Sequence, residues 1–281
     1  MKISVIIPTF DRAHTLKRAL DSVLQQTLPA DEIIVVDDGS TDETADLMRT
    51  EYPNVVYLRQ DNAGVSRARN TGINAARNDW LALLDSDDEW HPRKLERQTE
   101  ALRAQPQHRL CHTDEIWIRN GRRVNQMNKH AKRGGRIFQH CLPLCAISPS
   151  SVLMHRGLLD ETGLFDETLP ACEDYDLWLR ITANHPVLYL DEALITKYGG
   201  HDDQLSRKHW GMDRFRIQAL EKIINRGDLK PDDRRAALET LEQKLDILLT
   251  GARKHSNEEI LRCYTMKQHV YKRELARCLD A

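Results

Sequence analysis

The stretch Glu32-Ile33-Ile34-Val35-Val36-Asp37-Asp38-Gly39-Ser40-Thr41-Asp42-Glu43 decides the fold class. Four consecutive aliphatic residues are strand length and suit a strand covered on both faces. They run directly into two carboxylates, a glycine and a Ser-x-x-Glu capping box, so a helix is predicted to start near Ser40 and to continue through Ala45, Leu47 and Met48. A strand that turns into a helix within a few residues is half of a βαβ unit. The same beat extends to both sides. Residues 3–7 read as a buried strand, and Leu16, Ala19, Leu20, Val23 and Leu24 then recur at helical spacing. Residues 55–58 form a third strand, 65–76 a helix and 80–84 a fourth strand, and Pro92 stands where the first turn of another helix accepts proline. The prediction is an α/β fold with a mostly parallel sheet flanked by helices.

The beat weakens beyond residue 105. Asn120-Gly121 between residues 116–118 and Val124 signals a tight hairpin, hence a small antiparallel element. Residues 173–182 read as a helix with Leu177, Trp178 and Ile181 inward, and 187–190 as a strand. From Arg207 onward only helices are expected, two of them opening at Pro231 and at the second capping box Ser256-Asn257-Glu258-Glu259. The predicted organisation is a unit of residues 1–204, divided at 104/105, followed by a helical C-terminal extension, 205–281.

The 281 residues carry 41 Lys+Arg and 43 Asp+Glu. Residues 205–281 hold +5 and residues 1–204 hold −7, so the near-neutral total excludes a general nucleic-acid coat and conceals an asymmetry. No apolar run approaches the roughly 18 residues that a spanning helix needs. Pro8 and Asp11 interrupt the N-terminal apolar run before a signal-peptide core is complete, so the start reads as a folded strand. Six cysteines without a CxxC pair suit a reducing compartment. His140, Cys141 and Cys145 lack a second ligand pair at finger-like spacing.

Open parallel sheets bind ligands beyond the carboxyl ends of their strands. Here those ends are Pro8-Thr9-Phe10-Asp11-Arg12, Asp37-Asp38-Gly39-Ser40 and Asp85-Ser86-Asp87-Asp88-Glu89. Single members of these clusters are ordinary helix caps. Whole carboxylate clusters repel themselves unless cations or donors lie between them. Hard oxygen ligands at a strand end suit Mg²⁺ or Mn²⁺, which commonly take phosphate oxygens from a substrate. Neither GxxxxGK[ST] nor a GxGxxG after the first strand is present, so a metal would have to neutralise a diphosphate.

These three segments, together with 62–73 (Asn62-Ala63-Gly64-Val65-Ser66-Arg67-Ala68-Arg69-Asn70-Thr71-Gly72-Ile73) and Glu173-Asp174-Tyr175-Asp176-Leu177-Trp178, resemble in order and spacing the motifs of family 2 glycosyltransferases with the GT-A, Rossmann-like fold. The resemblance covers about residues 1–200. It implies a nucleotide-sugar-binding half, 1–104, and an acceptor half, 105–204, of a metal-dependent, inverting enzyme. Its donor would be a nucleotide-diphosphate sugar, UDP-sugar favoured, and its acceptor a glycan or lipid-linked hydroxyl.

Residue by residue, the resemblance implies that Pro8, Thr9, Asp11 and Asp38 hold the nucleoside, with Asp38 accepting the imide N–H of uracil. Arg69 and Asn70 are expected to line the nucleotide pocket, although a salt-bridged Arg69 is an equal alternative. Asp85-Ser86-Asp87 is similar to the DxD motif, Asp85 meeting the ribose and Asp87 the divalent ion, Mn²⁺ or Mg²⁺. Strand alternation would aim both carboxylates at one ligand. His201 is a further metal candidate and Asp174 the candidate general base. A glycosidase would need a second carboxyl as acid, which a metal-bound diphosphate leaving group makes unnecessary. The basic amphipathic segment 207–226 is expected either to touch an anionic membrane surface or to pack as a lid. The expected setting is cytoplasmic, with that contact at the inner face of the cell membrane, and oligomeric state is left open. The alternatives are a sugar nucleotidylyltransferase and a non-catalytic nucleotide-sugar-binding domain.

Overall fold

A computed structural model describes residues 1–200 and 210–279. Among the described residues nine strands form a single sheet. β1 (Ile3–Thr9), β2 (Glu32–Asp37), β3 (Val56–Arg59) and β4 (Trp80–Leu83) are its parallel part. β5 (Glu89–Trp90), β6 (Leu110–Arg119), β7 (Arg122–Val124), β8 (Leu153–His155) and β9 (Leu188–Gly199) complete it. The order is β3-β2-β1-β4-β8-β6-β9-β5, with β7 paired to β6. β8 runs antiparallel to both β4 and β6, while β6 and β9 are parallel with a register shift around Asp114. The fold is thus α/β and mostly parallel, as expected. The antiparallel part exceeds one hairpin, because β5 and β8 are two and three residues long and carry no readable period.

β1 alternates across the sheet: Ile3, Val5 and Ile7 join the core on one face, and Ile6 joins the core on the other. Helices α1 (Ala13–Leu24), α2 (Thr44–Glu51) and α4 (Lys94–Ala104) supply Leu16, Met48 and Leu95 to the first face. α3 (Val65–Ala75) covers the second with Ala68 and Ile73. Gly72 lets α3 sit directly on the sheet, since a Cβ there would lie 2.5 Å from Ile6 Cγ2. Neither predicted capping box forms. Asp42 Oδ1 accepts the Thr44 N–H at 3.0 Å, whereas the Ser40 hydroxyl turns to the Asp11 N–H at 2.9 Å.

Four short helices or turns follow in the second half: a 3-10 turn at Asn128–His130, α5 (Phe138–Cys141), a 3-10 turn at Pro149–Ser151 and α6 (Gly157–Thr162). Then comes α7 (Glu173–Asn184), whose Trp178 is fully buried as expected. The C-terminal helices are α8 (Asp213–Asn225), α9 (Pro231–Lys254) and α10 (Glu258–Leu279). The last cap falls on Asn257, whose Oδ1 accepts the Ile260 N–H at 3.1 Å, one residue beyond the predicted Ser256. Ile217, Leu220, Ile223 and Ile224 of α8 are buried in one cluster with Tyr175 and Trp178 of α7. Lys222 reinforces the seam by pairing with the buried Asp176 at 2.7 Å. Within the segment expected to meet a membrane or to pack as a lid, the apolar side of α8 therefore faces the protein interior, while Trp210 ahead of it is exposed.

Candidate active site

The end of β4 meets the loop after β1 through Arg12 and Asp87 and the N-terminus of α7 through Arg69, and the loop after β2 joins that after β1 through Ser40 and Asp11. β4 stops at Leu83, and residues 85–88 close a turn in which the Asp88 N–H donates to the Asp85 carbonyl at 3.0 Å. Strand alternation therefore does not govern Asp85 and Asp87; each carboxylate is taken by its own arginine. Asp85 Oδ1 accepts Arg69 Nη2 at 2.7 Å, and Asp87 pairs with Arg12. The Ser150 hydroxyl pins the turn from below, accepting the Asp85 N–H at 3.1 Å and donating to Asp88 Oδ2 at 2.6 Å.

Arg69 lies inside α3 and is almost fully enclosed. Its second nitrogen, Nη1, reaches Glu173 Oε1 at 2.6 Å. One guanidinium thus ties the β4 turn to the first residue of α7. The helix starts after Cys172, which holds a left-handed φ of 61°, and its first turn carries Glu173, Asp174 and Asp176 at the positive end of the helix dipole. Asp174 is half-buried. Its Oδ1 accepts the Tyr175 N–H at 2.7 Å, and its Oδ2 accepts the Cys145 thiol at 3.1 Å.

Charge is arranged with care around these groups. Burial disfavours ionised Asp85, but Arg69, Lys197 and Arg12 outweigh it and hold its carboxyl below the usual range. At Asp88 burial wins, aided by Asp87 and Asp85, and the carboxyl is pushed well up. Lys197 on β9 is raised despite burial by Asp88, Glu115, Asp85 and Asp174, and its ammonium is 3.3 Å from the Ser148 hydroxyl. Behind it, Glu115 pairs with Lys132 at 3.2 Å and accepts the Ser148 hydroxyl at 2.6 Å. Burial raises the Glu115 carboxyl, yet Lys132 and Lys197 bring it down to about 2.

The description "Glycosyl transferase family 2" matches residues 4–163, more than half of the chain. The chain belongs to glycosyl transferase family 2. An uncharacterized glycosyltransferase of Rickettsia conorii is 32% identical over 219 residues, 73% of this chain but 35% of the relative. The chain therefore spans about a third of that relative's length. The amylovoran biosynthesis glycosyltransferase AmsE of Erwinia amylovora is 27% identical over 76% of this chain and 83% of its own. Two solved structures share the fold. Residues 1–349 of S. aureus TarS in complex with UDP-GlcNAc superpose with a TM-score of 0.72 at 22% identity, covering 90% of this chain and 75% of that one. The mannosyltransferase PcManGT from Pyrobaculum calidifontis, in complex with GDP-Man and Mn²⁺, gives 0.61 at 19% identity, covering 99% and 85%. The sheet with its flanking helices is the GT-A fold.

Set in this family 2 framework, the predicted residues divide. Asp85, Asp87, Arg69 and Asp174 gather at the strand ends, joined by Arg12, Lys197, Ser150 and Cys145, which sequence reasoning passed over or quoted without a role. Pro8 and Thr9 end β1 beside Val36 and Asp37. The Thr9 hydroxyl is buried with no partner among the described residues, an orphaned polar atom at the carboxyl end of β1. Asp11 is committed locally, its Oδ1 accepting the Thr41 N–H at 2.7 Å. Asp38 accepts Gln60 Nε2 at 2.7 Å, the Ala63 N–H at 3.0 Å and the Gly64 N–H at 2.7 Å, so protein donors occupy the carboxylate expected to meet a base. Asn70 instead clips the 163–169 segment, donating to the Phe165 carbonyl at 2.9 Å and accepting its N–H at 3.1 Å. His201 lies outside the described residues.

The donor set fits a hard divalent cation. Asp85 and Asp87 flank one turn, keep 26% and 17% side-chain exposure, and present the hard carboxylate oxygens that such an ion takes. Among the described residues no group of three or more His, Cys, Asp or Glu converges on a metal position, so further ligands would be phosphate oxygens and water.

Proposed function

We propose that this chain transfers a sugar from a nucleotide-diphosphate donor to a hydroxyl of a glycan or lipid-linked acceptor, with inversion, in surface glycan or polysaccharide synthesis. The observation that carries the proposal is the Arg69 bridge, which fixes the Asp85 turn against the helix that presents Asp174. Asp174 takes the proton of the acceptor hydroxyl as its oxygen attacks the anomeric carbon. The bond from that carbon to the diphosphate oxygen breaks, and the electron pair leaves with the nucleoside diphosphate. Asp87 would hold Mn²⁺ or Mg²⁺, which when bound supplies charge neutralisation for the diphosphate, and Asp85 would meet the ribose. Arg69 keeps Asp85 ionised for that role, and Asp38 serves the nucleoside by folding the 60–64 segment around it.

A UDP-sugar is the favoured donor, on the support of the UDP-GlcNAc complex of TarS, and GDP-mannose is the second candidate from PcManGT. The amylovoran relative supports a polysaccharide setting. No helix among the described residues is long and apolar enough to cross a membrane. Contact with an anionic leaflet would rest on basic side chains of the α8 region, and a cytoplasmic setting is supported by six cysteines without disulfides. A melting-temperature screen of nucleotide sugars with and without Mn²⁺, followed by nucleotide release with candidate acceptors, tests the proposal. Donor binding without any release would instead leave a nucleotide-sugar-binding protein.

A further inference from the structure

A cavity of about 350 Å³ opens between the β6–β7 hairpin and the segment 125–132. Its size falls in the range of about 300–1,000 Å³ typical of small-ligand sites. Trp117 and Tyr189 form aromatic walls, and Asp114, Glu115, Asn125 and Asn128 contribute oxygen and amide groups. Both rings are held in place. Trp117 Nε1 donates to Glu115 Oε1 at 2.7 Å, and the indole leans on His130 at 5.0 Å between centroids. Tyr189 lies 5.3 Å from His112, and its hydroxyl donates to Asp191 at 3.1 Å. Walls fixed in advance lose little entropy when a ligand arrives.

A short chain of contacts runs from the cavity lining toward the candidate base. Glu115 lines the cavity and accepts the Ser148 hydroxyl, and the same Ser148 oxygen meets Lys197. Lys132, also in the lining, donates to the Ala146 carbonyl at 3.0 Å, next to Cys145 whose thiol touches Asp174. The lining holds two acidic groups, Asp114 and Glu115, against two basic ones, Arg123 and Lys132, so it selects neither an anion nor a cation. Aromatic faces carry negative charge that suits the C–H face of a sugar ring, and carboxylates and amides accept or donate to its hydroxyls.

We propose that this cavity is the subsite for a sugar unit of the acceptor, seated so that an adjoining hydroxyl reaches Asp174. The inference rests on the glycosyl-transfer reading and deepens it by naming a neutral carbohydrate as the ligand of residues 114–132 and Tyr189. Its test is saturation-transfer NMR of the full chain with a panel of methyl glycosides and their di- and trisaccharides. Nucleotide-sugar binding is followed by melting temperature in the same samples. Trp117→Ala should weaken the bound glycoside about tenfold, the loss of one strong aromatic contact. Trp117→Phe should keep most of the binding. Asn128→Ala, at an exposed position, should weaken it without disturbing the fold. All three should bind the nucleotide sugar as the parent chain does. Undiminished glycoside binding in Trp117→Ala, or no glycoside signal from the parent chain, overturns the subsite. Failure of the parent chain to bind any nucleotide sugar overturns the transferase reading instead.

Discussion

Asp85 and Glu173 lie on opposite prongs of one guanidinium, that of Arg69, at 2.7 and 2.6 Å. Neither carboxylate touches its own motif partner; each is placed by a helix that packs across the sheet. Arg69→Ala leaves the enclosed Glu173 without its cation and Asp85 with only Lys197 and Arg12 nearby, and breaking a buried pair costs about 3–5 kcal/mol. Urea titration should show that destabilisation. Arg69→Lys should recover only part of it, because an ammonium lacks the fork that serves two acids. Equal stability of the lysine variant and the parent would mean that the bridge does not matter.

Asp174→Asn should bind nucleotide sugar normally and lower turnover by about 10²–10⁴, the usual worth of a positioned base. Cys145→Ala removes one donor from the Asp174 carboxylate and should change turnover far less. A large loss of donor affinity in Asp174→Asn would mark the residue as a donor ligand rather than a base.

Asp87→Asn should abolish the extra stabilisation that Mn²⁺ gives to the nucleotide-sugar complex while leaving the metal-free melting temperature nearly unchanged. A ligand present at a hundred times its Kd stabilises by about 2.7 kcal/mol, so the missing increment is easily measured. An intact Mn²⁺ effect in this variant would move the ion elsewhere.

Lys94 is enclosed, its ammonium 4.0 Å from the Trp90 ring centre and 2.8 Å from Gln98 Oε1. Burial lowers its pKa from 10.5 to about 7. Between those values the unfolded chain holds more protons than the folded one, so stability should rise with pH, at up to about 1.4 kcal/mol per unit. The thiols of Cys111, Cys141, Cys145 and Cys172, all pushed up from 9 by burial, take the opposite sign as the pH approaches 9 and beyond. Denaturant titrations between pH 7 and 8 therefore report mainly on Lys94. Lys94→Met should flatten that slope, and a slope equal to the parent's would show that Lys94 is not its source.

The carboxylate clusters were legible because they follow strands whose composition is unmistakable, and position after a strand is a local property. Their partners were not. Arg12 lies far from Asp87 in the chain, Lys197 sits in a strand with no motif around it, and Glu115 and Lys132 meet only because β6 and the segment after β7 fold together. Asn70 shows a second limit. It was read together with Arg69, yet successive helix residues point about 100° apart, so Arg69 faces the site while Asn70 clips the Phe165 backbone. The predicted caps missed for a related reason: Ser40 found a better partner in Asp11, from another strand end, than in its own helix.

The seam between α7 and α8 has a practical consequence for recombination among relatives. The family match ends at residue 163, yet Tyr175 and Trp178 share their apolar contacts with Ile217 and Leu220, and Lys222 neutralises Asp176 two residues after the candidate base. The candidate base and the tail are therefore packed as one block. A chimaera that exchanges C-terminal helices to alter acceptor choice has to carry α7 with them, or it will unseat the very carboxylate it means to redirect.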